Sequence, residues 1–269
     1  MRFISFNVNG IRARLHQLHE LDRKHQPDVV AIQESKVVDD EFPMDAVIAA
    51  GYPHCYIYGQ KGHYGVALLS KTPLADVQLG YPWRPEDQQR RFIAATLKRG
   101  RSKIRIINGY FPQGDSRAHP TKFPAKAEYY ADLLRYLQEH CDPKQPLIVA
   151  GDMNVAPDDI DIGIGEDNKK RWLKSGKASF LPEEREWLAT ISAWGLQDSY
   201  ALEHPEQRDY SWFDYRSRGF EREPKRGLRI DLIMVSKALG AKVAGTGIDY
   251  EMRGSEKPSD HCPIWCDFS

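Results

Sequence analysis

The segment LIVAGDMN, residues 147–154, joins four apolar residues to a glycine, an acid and an amide. An apolar run of this length that ends at a glycine predicts a buried β-strand, with Asp152 and Asn154 just after it. A carboxylate beside a buried strand needs a cation, a donor or a partner group, because burying a lone charge is costly. The segment therefore predicts a strand whose end carries polar groups.

Similar apolar runs recur evenly from one end of the chain to the other. They predict eight strands, at residues 3–8, 29–33, 65–70, 92–97, 104–111, 147–150, 228–235 and 263–268. Apolar residues at helical spacing predict a helix over residues 123–140 and another over residues 182–195. Because strands and helices mix along the whole length without a repeat or a linker, we expect a layered α/β fold in a single domain, residues 1–269.

Composition narrows the class of protein without selecting a function. The 38 basic and 38 acidic residues balance, so any nucleic-acid surface has to be a local patch. The longest uninterrupted apolar run has five residues, 46–50, which predicts neither a signal peptide nor a membrane-spanning helix. The four cysteines have no metal or disulfide spacing, and free thiols favour a cytoplasmic protein.

Other polar residues also stand beside apolar runs. Asn7 lies in FNVNG, Glu34 ends VVAIQE, and Asp231 interrupts LRIDLIMV. Asp260 and His261 are adjacent in KPSDHCPIW, residues 257–265. Each of these taken alone is most simply a turn or helix-cap residue. Taken together they also fit a site at strand ends, and their oxygen donors favour Mg²⁺ or Mn²⁺ over Zn²⁺. From the residues alone, a metal-assisted phosphoester hydrolase and a purely structural reading both stay open.

The chain resembles the exonuclease III family of bacterial apurinic/apyrimidinic endonucleases, within the exonuclease-endonuclease-phosphatase superfamily. The ordered motifs that carry the resemblance are SFNVNGIRAR, QPDVVAIQESK, GQKGHYGVALLS, INGYFPQGDSRAHPTKFPAK, VAGDMNVAP, DIGIGEDNKKRWL, FLPEEREW, YSWFDYRSRG, GLRIDL and KPSDHCPIW. This resemblance implies a four-layered α/β sandwich, in which two mixed β-sheets pack face to face and helices lie outside. It also implies a Mg²⁺-dependent enzyme, with Mn²⁺ as a substitute, that cleaves 5′ to abasic sites in duplex DNA, removes 3′-blocking groups and degrades duplex DNA 3′ to 5′.

The resemblance assigns roles to the polar residues at the strand ends. The catalytic positions that it implies are Asp152, His261, Asp231, Tyr110, Asn154 and Asn7. The metal-binding positions that it implies are Glu34, Asn7, Asp260, Asp152 and Asn154. In this assignment Asp152 activates water, while His261, oriented by Asp231, contacts the phosphate.

Substrate selection is expected from aromatic and cationic residues. Residues 216–229 carry six basic side chains and two acidic ones next to Trp212 and Phe213, which suits nucleic acid, although aromatic residues in a β run are commonly core residues. The resemblance implies an apolar pocket for an extrahelical abasic sugar at Trp212, Leu228 and Ile230. Further DNA contacts are expected at Phe213, Arg90 and Lys61. The cationic stretch over residues 169–177, which includes Arg171 and Lys177, is either a solvated helix face or, as the resemblance implies, another DNA contact.

The sequence departs from the family pattern at two places, and two other functions compete with the one that the resemblance implies. Cys262 follows His261 where the family usually has alanine, and the loop over residues 220–227 is slightly longer. A hydrolase of small phosphoesters is the main alternative, and a DNA-binding or scaffold protein without chemistry is another. We expect a monomer that acts on duplex DNA with abasic sites or blocked 3′ ends and has no membrane partner.

Overall fold

The computed structural model describes residues 1–85, 89–206 and 209–269. The strands in these ranges are β1 (Arg2–Asn7), β2 (Val29–Gln33), β3 (His54–Tyr58), β4 (Val66–Ser70), β5 (Leu74–Leu79), β6 (Phe92–Arg99), β7 (Ser102–Tyr110), β8 (Leu147–Asp152), β9 (Leu196–Asp198), β10 (Asp231–Ser236), β11 (Val243–Ile248) and β12 (Ile264–Phe268). The α-helices are α1 (Leu15–His25), α2 (Met44–Ala49), α3 (Lys122–His140), α4 (Glu166–Ser175), α5 (Pro182–Gly195), α6 (Ser199–Glu203), α7 (Lys237–Gly240) and α8 (Tyr250–Arg253).

The strands form two six-stranded mixed sheets. The first sheet has the order β11-β12-β1-β2-β4-β3, and the second has the order β5-β6-β7-β8-β10-β9. In each sheet one central pair is parallel, β1 with β2 and β7 with β8, while the other neighbours are antiparallel. The parallel pairs bring the carboxyl ends of two strands to the same edge of each sheet.

Successive residues of the central strands are buried on opposite faces. In β1, Phe3 packs into the core between the two sheets, whereas Ile4 packs into the core beneath α1 and α2. In β8, Ile148 faces the core between the sheets and Val149 faces the core beneath α3 and α5. Because both faces of these strands are covered, their sequences are continuously apolar rather than alternating. The result is a helix–sheet–sheet–helix sandwich.

The two longest helices have the local signals that were used to predict them. Helix α3 buries Tyr130, Leu133 and Leu137 on one face against the second sheet. Helix α5 starts with Pro182, and Glu184 in its first turn accepts the backbone N–H of Leu181 at 2.8 Å, which satisfies a donor at the helix start.

The four-layered α/β sandwich that the sequence predicted is confirmed, and the missed strands share one property. Strands β3, β5, β9 and β11 are the outermost strands of the two sheets. Each of these edge strands is hydrogen-bonded to a neighbour on one side only. They contain polar, glycine or half-buried residues, so they lack the continuous apolar run that identifies a central strand. The strand predicted at residues 228–235 starts only at Asp231, because Leu228 forms isolated bridges to Ile162 and Trp212 instead.

No helix in the described ranges combines the length and the apolar character needed to cross a lipid bilayer.

Candidate active site

Three side chains of the second sheet are brought into a row by strand register. Tyr110 of β7 is paired with Asp152 of β8, and Asp152 is paired with Asp231 of β10. Residues that are directly opposite in neighbouring strands project from the same face of the sheet. All three strands therefore present their polar ends on the face that looks toward the first sheet.

Two glycines allow strands β7 and β8 to approach closely beside this row. Gly109 pairs with Gly151, and a Cβ atom built on Gly151 falls 1.9 Å from the carbonyl oxygen of Gly109. The φ angle of Gly151 is 142°, which also disfavours a side chain. The glycine in GDMN is thus required by the spacing of the strands that carry Tyr110 and Asp152.

Asn7, at the end of β1, connects the first sheet to this row. Its Nδ2 atom donates to Glu34 Oε1 and to Asp152 Oδ2, both at 3.0 Å. Its Oδ1 atom accepts the backbone N–H of Asn9 at 3.0 Å. The amide therefore turns its nitrogen, and not its oxygen, toward the two carboxylates, an orientation that suits a donor better than the metal ligand expected at Asn7.

His261 is held between two acids. Its Nδ1 atom lies 2.9 Å from Asp231 Oδ2, and its Nε2 atom lies 3.7 Å from Asp152 Oδ2. Burial opposes the charged imidazolium, but Asp231 and then Asp152 outweigh burial and raise the pKa of His261. Burial is also the main reason that the pKa of Asp152 is raised, although the His261 charge opposes the shift. His261 and Asp152 can therefore share one proton between the Nε2 atom and the carboxylate.

Glu34 follows β2 in the left-handed conformation, with φ of 54°. Its Oε2 atom lies 2.8 Å from Lys36 Nζ. Burial alone would raise the pKa of Glu34, but Lys36 and the donors from Tyr110 and Asn7 outweigh burial and lower it. Glu34 is therefore ionised at neutral pH.

Glu34, Asp152 and His261 form the one group of possible metal ligands detected among the described residues. One ligand atom from each lies within 4.8 Å of the others. The buried carboxylate of Asp152 and the half-buried carboxylate of Glu34 repel each other at this distance, so they fit a hard cation that would neutralise them. Asn154, also expected as a metal ligand, donates from Nδ2 to Phe111 O at 2.9 Å, and its backbone N–H donates to Asp152 Oδ1 at 3.0 Å.

Asp260 lies outside that group, with both carboxylate oxygens engaged elsewhere. Its Oδ1 accepts from Asn9 Nδ2 at 2.8 Å, and its Oδ2 accepts from the Trp212 indole Nε1 at 3.0 Å. Asn9 also accepts a hydrogen bond from Lys36. A chain of polar contacts thus runs from Glu34 to Trp212, and as placed Asp260 orients Trp212 rather than joining the possible metal ligands.

These groups open into a cavity of about 370 Å³. Its lining residues are Glu34, Tyr110, Gln113, Asp152, Asn154, Trp172, Lys177, Ser179, Trp212, Asp214, Arg216, Ile230, Asp260 and His261. The lining thus combines the acids and His261 with an apolar surface that includes Trp212 and Ile230. A phosphate and a neighbouring apolar group can therefore be held together.

Two residues expected to contact DNA are buried instead. Phe213 is fully buried, packed edge-on against Phe220 and Tyr250. Leu228 is 1% exposed and packs behind Ile230 in the small core beneath Trp212. The DNA contact assigned to Phe213 is therefore wrong, and Leu228 supports the pocket wall without lining it. Trp212 and Ile230 do line the cavity.

The three cations expected to contact DNA do not line this cavity. Arg90 donates to Gly59 O at 2.7 Å and Asp39 Oδ2 at 3.2 Å. Lys61 is exposed in the loop that follows β3. Arg171, on α4, lines an adjacent cavity of about 200 Å³. These positions suit contacts to the backbone of a long substrate, at a distance from the acids.

No site role was predicted for Lys36, Asn9 or Trp172, whereas Lys177 belongs to a cationic stretch for which the resemblance implies DNA contact. Lys36 and Asn9 connect Glu34 to Asp260, while Trp172 and Lys177 line the cavity. Trp172 lies in the cationic stretch KKRWLKSGK, the same aromatic-among-cations pattern that identified Trp212. That pattern could have predicted a site role for Trp172. The contact of Lys36 with Glu34 could not be predicted, because it depends on the conformation of the turn after β2.

The two-sheet sandwich and the acids at its edge define a class of protein, the α/β-sandwich hydrolases that act on phosphoesters. The chain matches the model of the Endonuclease/Exonuclease/phosphatase family over residues 4–261, and it belongs to that family.

Individual relatives cover the whole chain. It is 52% identical over 269 residues to exodeoxyribonuclease III of Haemophilus influenzae, covering 100% of both chains. Its fold is similar to that of a Neisseria 3′ phosphatase solved with a product DNA hairpin, at 36% identity and a TM-score of 0.90, covering 100% of this chain and 99% of that one. It is also similar to an AP endonuclease from Archaeoglobus fulgidus, at 34% identity and a TM-score of 0.90, with the same coverage.

Proposed function

We propose that this protein is a metal-dependent DNA repair phosphodiesterase, which cleaves 5′ to abasic sites in duplex DNA, removes 3′-blocking groups and degrades duplex DNA 3′ to 5′. The observation that carries the proposal is the meeting of Glu34, Asp152 and His261 within 4.8 Å in a cavity that Trp212 also lines. The full-length similarity to exodeoxyribonuclease III supports the same activity.

His261 is proposed to bind a non-bridging oxygen of the scissile phosphate. Asp231 accepts the Nδ1 proton, which leaves Nε2 directed toward Asp152 and the cavity. The raised pKa of His261 favours the imidazolium at neutral pH. A positive donor beside the phosphate stabilises the charge that grows on the oxygens as the water attacks.

Asp152 is proposed to take the proton from the attacking water. Burial raises its pKa, which brings its basicity closer to the operating pH. A positioned base contributes about 10²- to 10⁴-fold, or about 3–5 kcal/mol, whereas accelerations of about 10¹⁷ require about 23 kcal/mol. Asp152 is therefore insufficient alone, and charge stabilisation by the rest of the site supplies a larger share.

The proposed metal is Mg²⁺, with Mn²⁺ as a substitute, held by Glu34 and Asp152. The fit rests on a buried and a half-buried carboxylate that face one open cavity, together with the ordinary oxygen-ligand preferences of these ions. When bound, the metal would supply positive charge next to the phosphate. Lys36 now gives Glu34 its counter-charge at 2.8 Å.

The remaining polar groups are proposed to orient the reactants. Asn7 donates to both Glu34 and Asp152 at 3.0 Å, which holds the two carboxylates at a defined separation. Asn154 is anchored through its Nδ2 atom, so its Oδ1 atom is left to orient the water. Burial raises the pKa of Tyr110 well above its ordinary value, so its hydroxyl stays protonated and can donate a hydrogen bond to the leaving oxygen.

Substrate choice is proposed to follow from Trp212 and Ile230, which line the cavity. Trp212 is fixed by its bridge to His261 and by the hydrogen bond to Asp260. With Ile230 it forms an apolar wall that suits an extrahelical abasic sugar, a lesion that leaves the helix more easily than an intact nucleotide. Arg90, Lys61 and Arg171 are proposed to position the duplex by phosphate contacts without reading sequence.

The protein is further proposed to act as a monomeric single domain in the cytoplasm. The proposed reaction uses Glu34, Asp152 and His261, which the fold of one chain brings together, so it requires no group from a second copy. Its four cysteines are unpaired, which supports a reducing compartment.

The proposal is tested by a time course on a duplex with one central abasic analogue, with Mg²⁺, with Mn²⁺ and with chelator, beside inositol polyphosphate as a small phosphoester. We expect rapid incision 5′ to the lesion with either metal and none with chelator. Faster turnover of the small phosphoester would favour the alternative hydrolase, and DNA binding without cleavage would favour a binding protein. An Asp152→Asn variant that cuts as fast as the parent would exclude Asp152 as the base.

A further inference from the structure

The reaction cavity continues into a smaller cationic side cavity. The two cavities, of about 370 Å³ and about 200 Å³, share the lining residues Trp172, Lys177, Trp212 and Asp214. A bound group that leaves the reaction cavity in this direction passes between the two tryptophans. The residues at the junction therefore contact whatever adjoins the scissile phosphate.

Lys177 is held at this junction by the ring of Trp172. Its Nζ atom lies 3.7 Å from the ring centroid, a cation–π contact. Trp172 in turn stacks on buried Phe180, with 5.6 Å between centroids and 4° between ring planes. The backbone of Lys177 is fixed too, since it bridges to Ser116 and its N–H donates to Trp172 O at 3.0 Å. The ammonium is thus placed before any ligand arrives.

The surroundings of Lys177 carry excess positive charge. The side cavity is also lined by Arg171, Arg222 and Arg226, against the single acid Asp214. Arg171 donates to the Asn168 amide oxygen, and Arg222 donates to the Ser217 carbonyl oxygen. Neither acceptor carries a full negative charge. Desolvation is the main reason that the pKa of Lys177 is lowered; Asp214 and Asp115 oppose the shift, and Arg171 adds to it. A bound anion would stabilise the charged ammonium of Lys177 and balance the charge of the neighbouring arginines.

We propose that Lys177, pinned on Trp172, is a phosphate-binding residue that grips a phosphate flanking the scissile one, with the side cavity taking the attached nucleotide. The proposal rests on the proposed function, because it assigns the binding partner as a neighbouring unit of the same DNA strand. It makes Lys177 a determinant of how the strand is aligned, and not a group that touches the reacting atoms.

The test compares Lys177→Met with Lys144→Met, which removes an exposed lysine before β8, at the end of that strand opposite to Asp152. Binding of an abasic-analogue duplex is measured in chelator by fluorescence anisotropy over a series of salt concentrations. We expect Lys177→Met to weaken binding roughly tenfold and to reduce the log–log salt slope by about 1. Lys144→Met should change neither quantity.

A second set of duplexes replaces each flanking phosphate in turn by an uncharged methylphosphonate. At one position the replacement should weaken binding by the parent roughly tenfold and leave Lys177→Met almost unaffected. Lys177→Arg should recover most of the loss, because it keeps the charge on the ring. The inference is overturned if Lys177→Met keeps the parent's salt slope and its sensitivity at every phosphate. Because binding is scored without metal, a parent that binds but does not cut contradicts the proposed function and leaves this inference standing.

Discussion

His261 shows how far a single residue depends on the groups around it. Asp231 lies 2.9 Å from one ring nitrogen and Asp152 lies 3.7 Å from the other. Because Asp231 accepts the Nδ1 proton, the orientation of the ring is determined by a residue at the start of β10. The chemistry proposed for His261 is therefore a property of the pair, and removing either partner changes it.

Replacing Asp231 by Asn tests this dependence. The amide keeps the shape of the carboxylate but not the charge that favours the imidazolium, so kcat on an abasic duplex should fall roughly 10²- to 10⁴-fold. An exposed acid before β8 provides the control, and Asp142→Asn should keep the parent kcat. A kcat within twofold of the parent for Asp231→Asn would contradict the role of Asp231.

Asp249 governs stability at low pH. It accepts from His25 Nε2 at 2.7 Å and from Lys24 Nζ at 2.9 Å. Burial opposes the carboxylate, but these donors outweigh burial and lower its pKa to about 2. Because the folded pKa lies below the unfolded value of about 4, Asp249 stabilises the fold above pH 4, and this stability is lost as the pH falls toward 2.

The expected change is measured by urea unfolding at several pH values. Asp249→Asn should lower the free energy of unfolding at pH 7 by about 1–2 kcal/mol, since solvent screens part of the cluster, and should flatten its fall between pH 4 and pH 2. Asp45→Asn, an exposed acid of α2, serves as the control. An unchanged pH slope in Asp249→Asn would show that other carboxylates account for the acid sensitivity.

Helices α3 and α5 are joined by a buried ion pair that also holds the loops of the site. Lys126 of α3 is fully buried, and its Nζ atom donates to Glu184 of α5 and, at 2.8 Å, to Asn154 O. Glu184 accepts the backbone N–H groups of Ser179 and Leu181 at 2.8 Å. Two cavity-lining residues, Asn154 and Ser179, are thus anchored to the same pair of helices.

Breaking this pair should destabilise the protein strongly. In Lys126→Met, Glu184 is left as a buried charge without its cation, at a cost of about 3–5 kcal/mol in the free energy of unfolding. The double variant Lys126→Met, Glu184→Gln should recover part of that loss, because it removes both charges. Urea unfolding of the parent, both single variants and the double variant checks the prediction. A midpoint in Lys126→Met equal to that of the parent would contradict it.

The whole molecule divides the site between two sheets, so activity depends on how the sheets are aligned. Asn108 of β7 reaches across the core and donates from Nδ2 to Ile32 O and Ala67 O, both at 2.9 Å. Gln33 of β2 donates to Asn108 Oδ1 at 2.7 Å. These fully buried contacts stand directly behind Glu34 and Tyr110, and they link the two halves of the site.

An Asn108→Leu substitution tests this link. It removes the side-chain donor from two buried carbonyls and one of the three acceptors of Gln33 Nε2, so we expect a loss of about 1–3 kcal/mol in the free energy of unfolding. Because Glu34 then shifts relative to Asp152, kcat should fall roughly 10- to 100-fold. Thr246→Val, a buried polar change in the edge strand β11, should leave kcat unaltered. Thermal unfolding and steady-state kinetics on the abasic duplex measure both effects, and a full kcat in Asn108→Leu would rule out a role in alignment.

The sequence alone determined the class of fold, the family and the places where polar residues follow strands. Burial on both faces leaves a continuous apolar run, so central strands such as β2 and β8 were predictable, whereas the four edge strands were not. Asp152, Glu34 and His261 stood out because an acid or an imidazole next to a buried run needs a partner.

Tertiary structure alone decided which of these residues meet and which face each side chain takes. Trp212 and Phe213 are adjacent and equally aromatic, yet one lines the cavity and the other is fully buried. Neighbouring residues in extended chain point to opposite sides, and only the packing of the surrounding layers decides which side faces the substrate. The place of Lys177 in the cavity also depends on tertiary structure, because it is determined by the ring of Trp172 and by the bridge to Ser116, neither of which follows from sequence spacing.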